Sequence, residues 1–211
     1  MKVWKDVLKA LGRVVAGLAP VALVCVVPAV LVLLDVAVFG MGCDELGLVE
    51  VSQALALLAI VAMMSVSARR RPGMRGGFVL AAGLFLCMFF REQDQVFEIF
   101  LPHGFWIYPV IATAAFACLY ACRRPESVRD FLVAVRESRH FSVLALGFLA
   151  VVGFSRVIGM KPIWQAVVGM DDFRIAKRVA EEGVELFGYA VLVYWAVLFT
   201  ADSSLRREAA R

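Results

Sequence analysis

The sequence predicts an all-α integral membrane protein that forms one transmembrane domain over residues 1–211. Hydrophobic residues make up 62% of the chain and charged residues only 19%, which departs strongly from the composition of soluble domains. Several apolar segments approach the roughly 20 residues that a helix needs to cross the hydrocarbon core. We therefore expect a bundle of about six transmembrane helices, over residues 18–39, 48–66, 78–98, 105–122, 141–158 and 183–200.

The first and third segments need a separate argument. The first follows a basic amino-terminal stretch and is longer than the apolar core of a signal peptide, so we expect it to remain as a spanning helix. The third is apolar only over residues 78–90, which is short for a span. We expect this helix to continue through charged residues as far as Glu98, which would hold those charges at membrane depth.

Lysine and arginine are distributed unevenly along the chain. Sixteen of the 22 lie at the amino terminus, after spans two and four, or in the carboxyl-terminal tail. These four regions share one side of a six-span bundle, so the positive-inside rule predicts cytoplasmic termini and an inner-membrane location. The opposite side holds eleven acidic and six basic residues. The net charge of +4 is thus an orientation signal and indicates no nucleic-acid partner.

The connection between spans four and five has an amphipathic pattern. Val128, Phe131, Leu132 and Val135 are spaced to form one apolar stripe of a helix, and arginines surround them. This pattern predicts a helix on the inner membrane surface, where anionic lipids attract arginine side chains. Membrane lipids are therefore the first expected partners.

Charged residues also cluster at the predicted outer ends of the spans. Charges at membrane depth are costly, so we interpret the cluster as a partnered polar site. Helical spacing places Arg91, Asp94 and Glu98 on one face. We expect Arg91 and Arg156 to pair with Glu50 and Glu185. The candidate site residues are Glu50, Gln53, Arg91, Glu92, Asp94, Glu98, His103, Arg156, Glu181, Glu182 and Glu185.

Some of these side chains suit a divalent metal. Carboxylates and an imidazole bind hard or borderline divalent cations, and the candidate ligands are Glu50, Glu182, Glu185 and His103. The chain contains no His-Glu-x-x-His, Gly-x-Ser-x-Gly or P-loop motif, so it offers no recognisable catalytic set. We expect Asp35, near the outer end of span one, to reach the interface rather than to join the site.

Three functions are compatible with these patterns. The first is a sensing, binding or assembly component, with a protein partner or a homo-oligomer as a further candidate partner. The second is a membrane-embedded enzyme that acts on a lipid or a lipid-linked substrate at the outer leaflet through the carboxylates. The third is a transporter for a small solute or an ion, for which short similarities between residues 44–50 and 181–185 and between residues 90–91 and 154–156 are compatible with an internal repeat.

Overall fold

The computed structural model describes residues 2–38, 47–168 and 173–202, and every regular element in these ranges is helical. The helices are α1 (Lys2–Ala37), α2 (Leu48–Arg70), α3 (Arg75–Glu92), α4 (Asp94–Phe100), α5 (Ile107–Cys122), α6 (Pro125–Glu137), α7 (Phe141–Ile158), α8 (Lys161–Val168) and α9 (Phe173–Ala201). Several charged residues used to predict the topology lie outside the described residues, namely Asp44, Glu45, Asp171, Asp172, Arg206, Arg207 and Arg211.

Five of the described helices are long and apolar enough to cross a membrane: α1, α2, α3 with the turn before it, α7 and α9. This result confirms the prediction of an all-α membrane protein. Helix α5 coincides with the remaining predicted span but has only 16 residues, which corresponds to roughly 24 Å at the rise of an α-helix. The hydrocarbon core is about 30 Å thick. Six crossings therefore stay a prediction.

Helix α1 begins at Lys2, well before the predicted start at residue 18, and is 36 residues long. Pro20 and Pro28 lie inside it without ending it, as membrane helices often allow. Its apolar contacts with the bundle are at its carboxyl-terminal end, where Leu31 and Val32 pack near the start of α2. Most of its other described side chains are exposed. One end of α1 therefore anchors this helix to the bundle.

The helix expected over residues 78–98 is interrupted at Gln93. Helix α3 ends at Glu92, Gln93 has φ −93° and ψ 15°, and α4 begins at Asp94. The Asp94 carboxylate accepts a hydrogen bond of 2.7 Å from the backbone N–H of Gln95, and such local bonds compete with helical ones. Glu98 therefore belongs to a separate short helix rather than to a continuation of α3.

The bundle packs around α9, which contacts α1, α2 and α7. Tyr189, Leu192, Trp195 and Phe199 are at most 2% exposed, and their spacing of three and four residues places them on one face of the helix. Trp195 stacks on Phe199 with 5.1 Å between the ring centroids. This face forms the core, and α2 connects it to α3 and then α5.

The amphipathic segment predicted before span five is helix α6. Phe131 packs on α3 at Gly77, where a Cβ atom would overlap the phenylalanine side chain. Val135 is buried within the protein rather than facing the membrane surface, and Leu132 is 55% exposed. The buried stripe is centred on Phe131, so Leu132 lies at its edge rather than within it.

Helices α7 and α9 approach each other through two glycines. A Cβ atom at Gly188 would lie 2.5 Å from Cγ2 of Val151, and one at Gly147 would lie 2.7 Å from Cγ of Leu192. Real Cβ atoms do not come so close to other heavy atoms, so a larger residue would push the helices apart. Small residues serve this purpose in membrane helix packing in general. The contact fixes the spacing of the two helices close to Arg156 of α7 and Glu185 of α9.

We expect Gly188→Ala to lower the free energy of unfolding by about 1 to 3 kcal/mol, because the added methyl group overpacks the contact. The measurement is an unfolding titration of the purified protein in detergent micelles. Gly153→Ala is the matched control, since a Cβ atom at Gly153 of α7 would have no neighbour within 4 Å. Equal stabilities of the two variants would contradict the close approach.

Candidate functional site

Polar side chains from four helices meet at one end of the bundle, which we call the carboxylate end. Helix α2 begins there, α3 and α7 end there, and the first half of α9 passes through it. The residues that define it are Gln53, Arg91, Glu92, Arg156, Glu181, Glu182, Glu185 and Tyr189. The alternating directions of consecutive helices bring together residues that are far apart in the sequence.

Arg156 joins α7 to α9 through two carboxylates. Its Nη2 lies 2.5 Å from Oε1 of Glu185 and its Nη1 lies 3.2 Å from Oε1 of Glu181. Lys177, one turn earlier on α9, is 2.6 Å from the other oxygen of Glu181. The Glu185 side chain is only 3% exposed, so its charge depends on this partner. Arg156 is thus the central cation of the carboxylate end.

The local structure of α7 determines where Arg156 lies. Residues Leu149–Phe154 form a π-helix, and regular α-helix resumes at Ser155. The Ser155 hydroxyl donates a 2.5 Å hydrogen bond to the carbonyl of Val151 and is fully buried. A π-helical turn changes the direction of the residues that follow it, and such turns are frequent at functional sites.

Arg91, Glu92 and Tyr189 form a second group. Nη1 of Arg91 lies 2.7 Å from Oε1 of Glu92, and the Tyr189 hydroxyl donates a 3.0 Å hydrogen bond to the same oxygen. Tyr189 is 1% exposed and Glu92 has 13% of its side chain exposed. Glu92 therefore connects the end of α3 to α9. Arg91 contacts its sequence neighbour Glu92, and its predicted pairing with Glu50 stays a prediction.

Gln53 provides the third connection, between α2 and α9. Its Nε2 donates hydrogen bonds of 3.0 Å to Oε2 of Glu182 and 3.2 Å to the backbone carbonyl of the same residue. Gln53 is 1% exposed. A buried amide with two acceptors costs far less than one left unsatisfied. Three interhelical contacts therefore hold the carboxylate end together, namely Arg156–Glu185, Tyr189–Glu92 and Gln53–Glu182.

A cavity of about 430 Å³ lies between α3 and α7 at this end, and we call it the polar cavity. Its polar lining consists of Arg91, Glu92, Arg156 and Tyr189. The two arginine side chains are 49% and 46% exposed, whereas the carboxylates that they contact are largely covered. The cavity therefore presents two guanidinium groups and one carboxylate to anything that enters it.

The remaining predicted site residues lie apart from this network or at its edge. Glu50 is half-buried on the first turn of α2. Asp94 is at the start of α4, and Glu98 pairs with His103 at 2.5 Å. The His103 side chain is 91% exposed. Asp94, Glu98 and His103 therefore belong to the segment after α3 and do not line the polar cavity.

The metal hypothesis receives no support from the geometry. Over the described ranges, no group of three or more His, Cys, Asp or Glu side chains is arranged to hold a metal ion.

His140 lies at the other end of the bundle, where Arg139 donates a 3.1 Å hydrogen bond to its Nε2. Burial and the charge of Arg139 lower the pKa of His140, so its imidazole is neutral at neutral pH.

The position of the Asp35 side chain differs from the predicted one. It is fully buried, and its carboxylate accepts hydrogen bonds from the backbone N–H groups of Leu48 at 3.0 Å and Val49 at 3.4 Å. The first N–H groups of a helix have no partner within the helix, and a carboxylate there also interacts favourably with the helix dipole. Asp35 of α1 therefore caps α2 instead of reaching the interface.

The fold and the site define the chain as an all-α membrane protein with a network of carboxylate and guanidinium groups at one end of its bundle. We found no match for it among protein-family models, curated proteins or solved structures. Its function must therefore be inferred from its own residues.

Lys177 carries a sequence signal that the predicted site does not include, whereas Tyr189 is predicted to share a helix face with Glu182 and Glu185. Lys177 and Glu181 are four residues apart, which is the spacing of an ion pair on a helix. We placed residues 161–180 in a connection, but α9 begins at Phe173 and includes Lys177. Tyr189 follows Glu185 by four residues on the same helix face. Its contact with Glu92 crosses between helices and had no sequence signal.

Proposed function

We propose that the chain crosses the inner membrane six times with both termini in the cytoplasm. The uneven distribution of its 22 basic residues supports this orientation through the positive-inside rule. In this arrangement α5 is the fourth crossing, and its limited length implies a locally thinned bilayer or flanking residues that reach the interface. The carboxylate end then lies in the outer leaflet.

We further propose that the protein is a binding component that recognises an anionic group at its carboxylate end. The observation that carries this proposal is the position of Arg91 and Arg156, which line the same polar cavity from α3 and α7. Both side chains remain about half exposed although each already contacts a carboxylate. An anion between them would meet two guanidinium groups.

The donor geometry supports this proposal. A guanidinium group has five N–H donors in a rigid plane and binds carboxylates and phosphates through paired hydrogen bonds. For the described residues, the hydrogen bond of Arg91 uses Nη1 alone, so Nε and Nη2 can bind a ligand. The contact with Glu185 orients Arg156 in advance, which reduces the entropic cost of binding.

The same contacts support a role in holding the bundle together. Arg156 links α7 to α9, and Gln53 links α2 to α9. Polar contacts between membrane helices contribute roughly 0.6 to 2 kcal/mol each. Binding and bundle assembly therefore depend on the same residues. The alternatives of a lipid-directed enzyme and a transporter stay predictions.

A soluble phosphate monoester tests the proposed binding function. We expect glycerol 3-phosphate to raise the thermal unfolding temperature of the full chain in a non-ionic detergent. Arg91→Gln is expected to weaken the apparent affinity about tenfold or more, which corresponds to losing a charge-assisted hydrogen bond. This variant keeps the Arg156 contacts with Glu181 and Glu185, so the bundle should remain folded.

Arg129→Gln is the matched control, because Arg129 is exposed on α6 and its described partner is the adjacent Asp130. We expect this variant to bind glycerol 3-phosphate like the wild-type chain. If Arg91→Gln binds as tightly as Arg129→Gln, the proposed anion site is wrong.

A further inference from the structure

A second cavity adjoins the polar cavity, and we call it the apolar cavity. It has a volume of about 520 Å³ and lies among α3, α5, α6, α7 and α9. Leu84 and Phe148 line both cavities, so the two spaces are neighbours between α3 and α7. From one cavity to the next, the lining changes along the bundle from charged to apolar.

The lining of the apolar cavity suits a hydrocarbon chain. Ala81, Ala114 and Ala117 are small, and Leu144 and Phe131 provide larger apolar surfaces. Close packing of α3 against α5 at Gly83, where a Cβ atom would lie 2.5 Å from Cβ of Ala117, closes one wall. Contact with a polar, water-soluble ligand does not stabilise such a surface, whereas burying apolar groups against it is favourable.

The dimensions agree with a ligand site. Ligand pockets usually have volumes of roughly 300 to 1,000 Å³ and place a few polar groups within an apolar lining. Each of the two cavities falls in this range, at about 430 and 520 Å³. The polar groups lie at the carboxylate end, and the apolar cavity extends away from it along spanning helices α3 and α7.

We propose that the ligand is an anionic lipid with a phosphate between Arg91 and Arg156 and one acyl chain in the apolar cavity. This inference rests on the proposed anion site and names the class of its ligand. The charge complementarity favours an anionic head group: two guanidinium groups line the polar cavity, and its carboxylate, Glu92, already accepts hydrogen bonds from Arg91 and Tyr189. The adjoining apolar cavity favours a lipid over a free phosphate as the ligand, because only a lipid has an acyl chain that can occupy it.

The test compares two ligands that share a phosphate but differ in their chains. The full chain is reconstituted in nanodiscs of phosphatidylcholine, and binding of fluorescent long-chain phosphatidylglycerol is measured by energy transfer. Soluble glycerol 3-phosphate is measured in detergent as above. We expect Ala114→Phe, which fills the apolar cavity, to weaken binding of the lipid at least fivefold and to leave glycerol 3-phosphate binding unchanged.

Ala115→Phe is the control, because Ala115 is the exposed neighbour on α5 and does not line the cavity. Equal lipid binding by the two phenylalanine variants would overturn the inference about the acyl chain while leaving the anion site intact. Weaker binding of both ligands by Arg91→Gln, with unchanged binding of both by Arg129→Gln, is expected. Retention of both ligands in Arg91→Gln would instead overturn the anion site itself.

Discussion

Replacing Arg156 with alanine is expected to lower the free energy of unfolding by about 1 to 3 kcal/mol, because Glu185 is buried and loses its charged partner although Arg156 itself is half exposed. Glu185 is 3% exposed at its side chain and would lose the guanidinium that lies 2.5 Å away. Glu181 would keep Lys177. The loss of stability should therefore arise mainly from the unpaired Glu185. An unfolding titration in detergent micelles measures this loss.

A second substitution identifies the cause of this loss. Glu185→Gln removes the buried charge, so Arg156→Ala combined with Glu185→Gln should recover a substantial part of the stability lost in Arg156→Ala alone. Arg129→Ala is the control for removing an exposed arginine, and it should change the stability by less than about 0.5 kcal/mol. A loss in Arg129→Ala equal to that in Arg156→Ala would contradict the structural role of Arg156.

Asp35→Ala is expected to cost about 2 kcal/mol, because it removes the acceptor for two N–H groups at the start of α2. The site is fully buried, so water does not readily replace the carboxylate. Asp35→Asn retains one oxygen acceptor and should lose less. Asp6→Ala provides the control on the same helix, since Asp6 is exposed.

Disulfide trapping shows whether α1 separates from the bundle in this variant. A Cβ atom at Gly183 would lie 3.5 Å from Cγ2 of Val32, so Val32→Cys with Gly183→Cys should cross-link α1 to α9 in a background without the native cysteines. We expect Asp35→Ala to slow this cross-linking and Asp6→Ala to leave it unchanged. Equal rates would show that the cap does not position α1.

The membrane class and the apolar helices could be predicted from the sequence because they depend on composition and length. The helix boundaries were harder to predict. The break between α3 and α4 lies at Gln93, beside a local hydrogen bond from the backbone N–H of Gln95 to Asp94, and no composition signal marks it. At the other extreme, α1 extends to Lys2 through a stretch that we assigned to the basic amino terminus.

The candidate site was predictable to the extent that charge is unusual inside a membrane. This principle selected Arg156, Glu182 and Glu185, and helical spacing from Glu50 added Gln53; the structure brings these four residues together at the carboxylate end. It could not assign partners, because pairing depends on how the helices pack. Glu98 and His103 satisfied the same criterion but lie outside the network.

Asp35 illustrates why a charge count was insufficient. A single acid near the end of an apolar segment predicts a side chain that reaches toward water. Its actual partners are backbone N–H groups at the start of the following helix, and backbone groups leave no trace in the sequence. The π-helix before Arg156 was hidden for the same reason, since it is a property of the backbone.

An experimental structure of the full chain in nanodiscs containing phosphatidylglycerol tests the central claim most directly. We predict density for a phosphate between Arg91 and Arg156, with Arg156 still bonded to Glu185 and an acyl chain beside Ala114. Helices α3 and α7 packed together without space between the two guanidinium groups would contradict the claim.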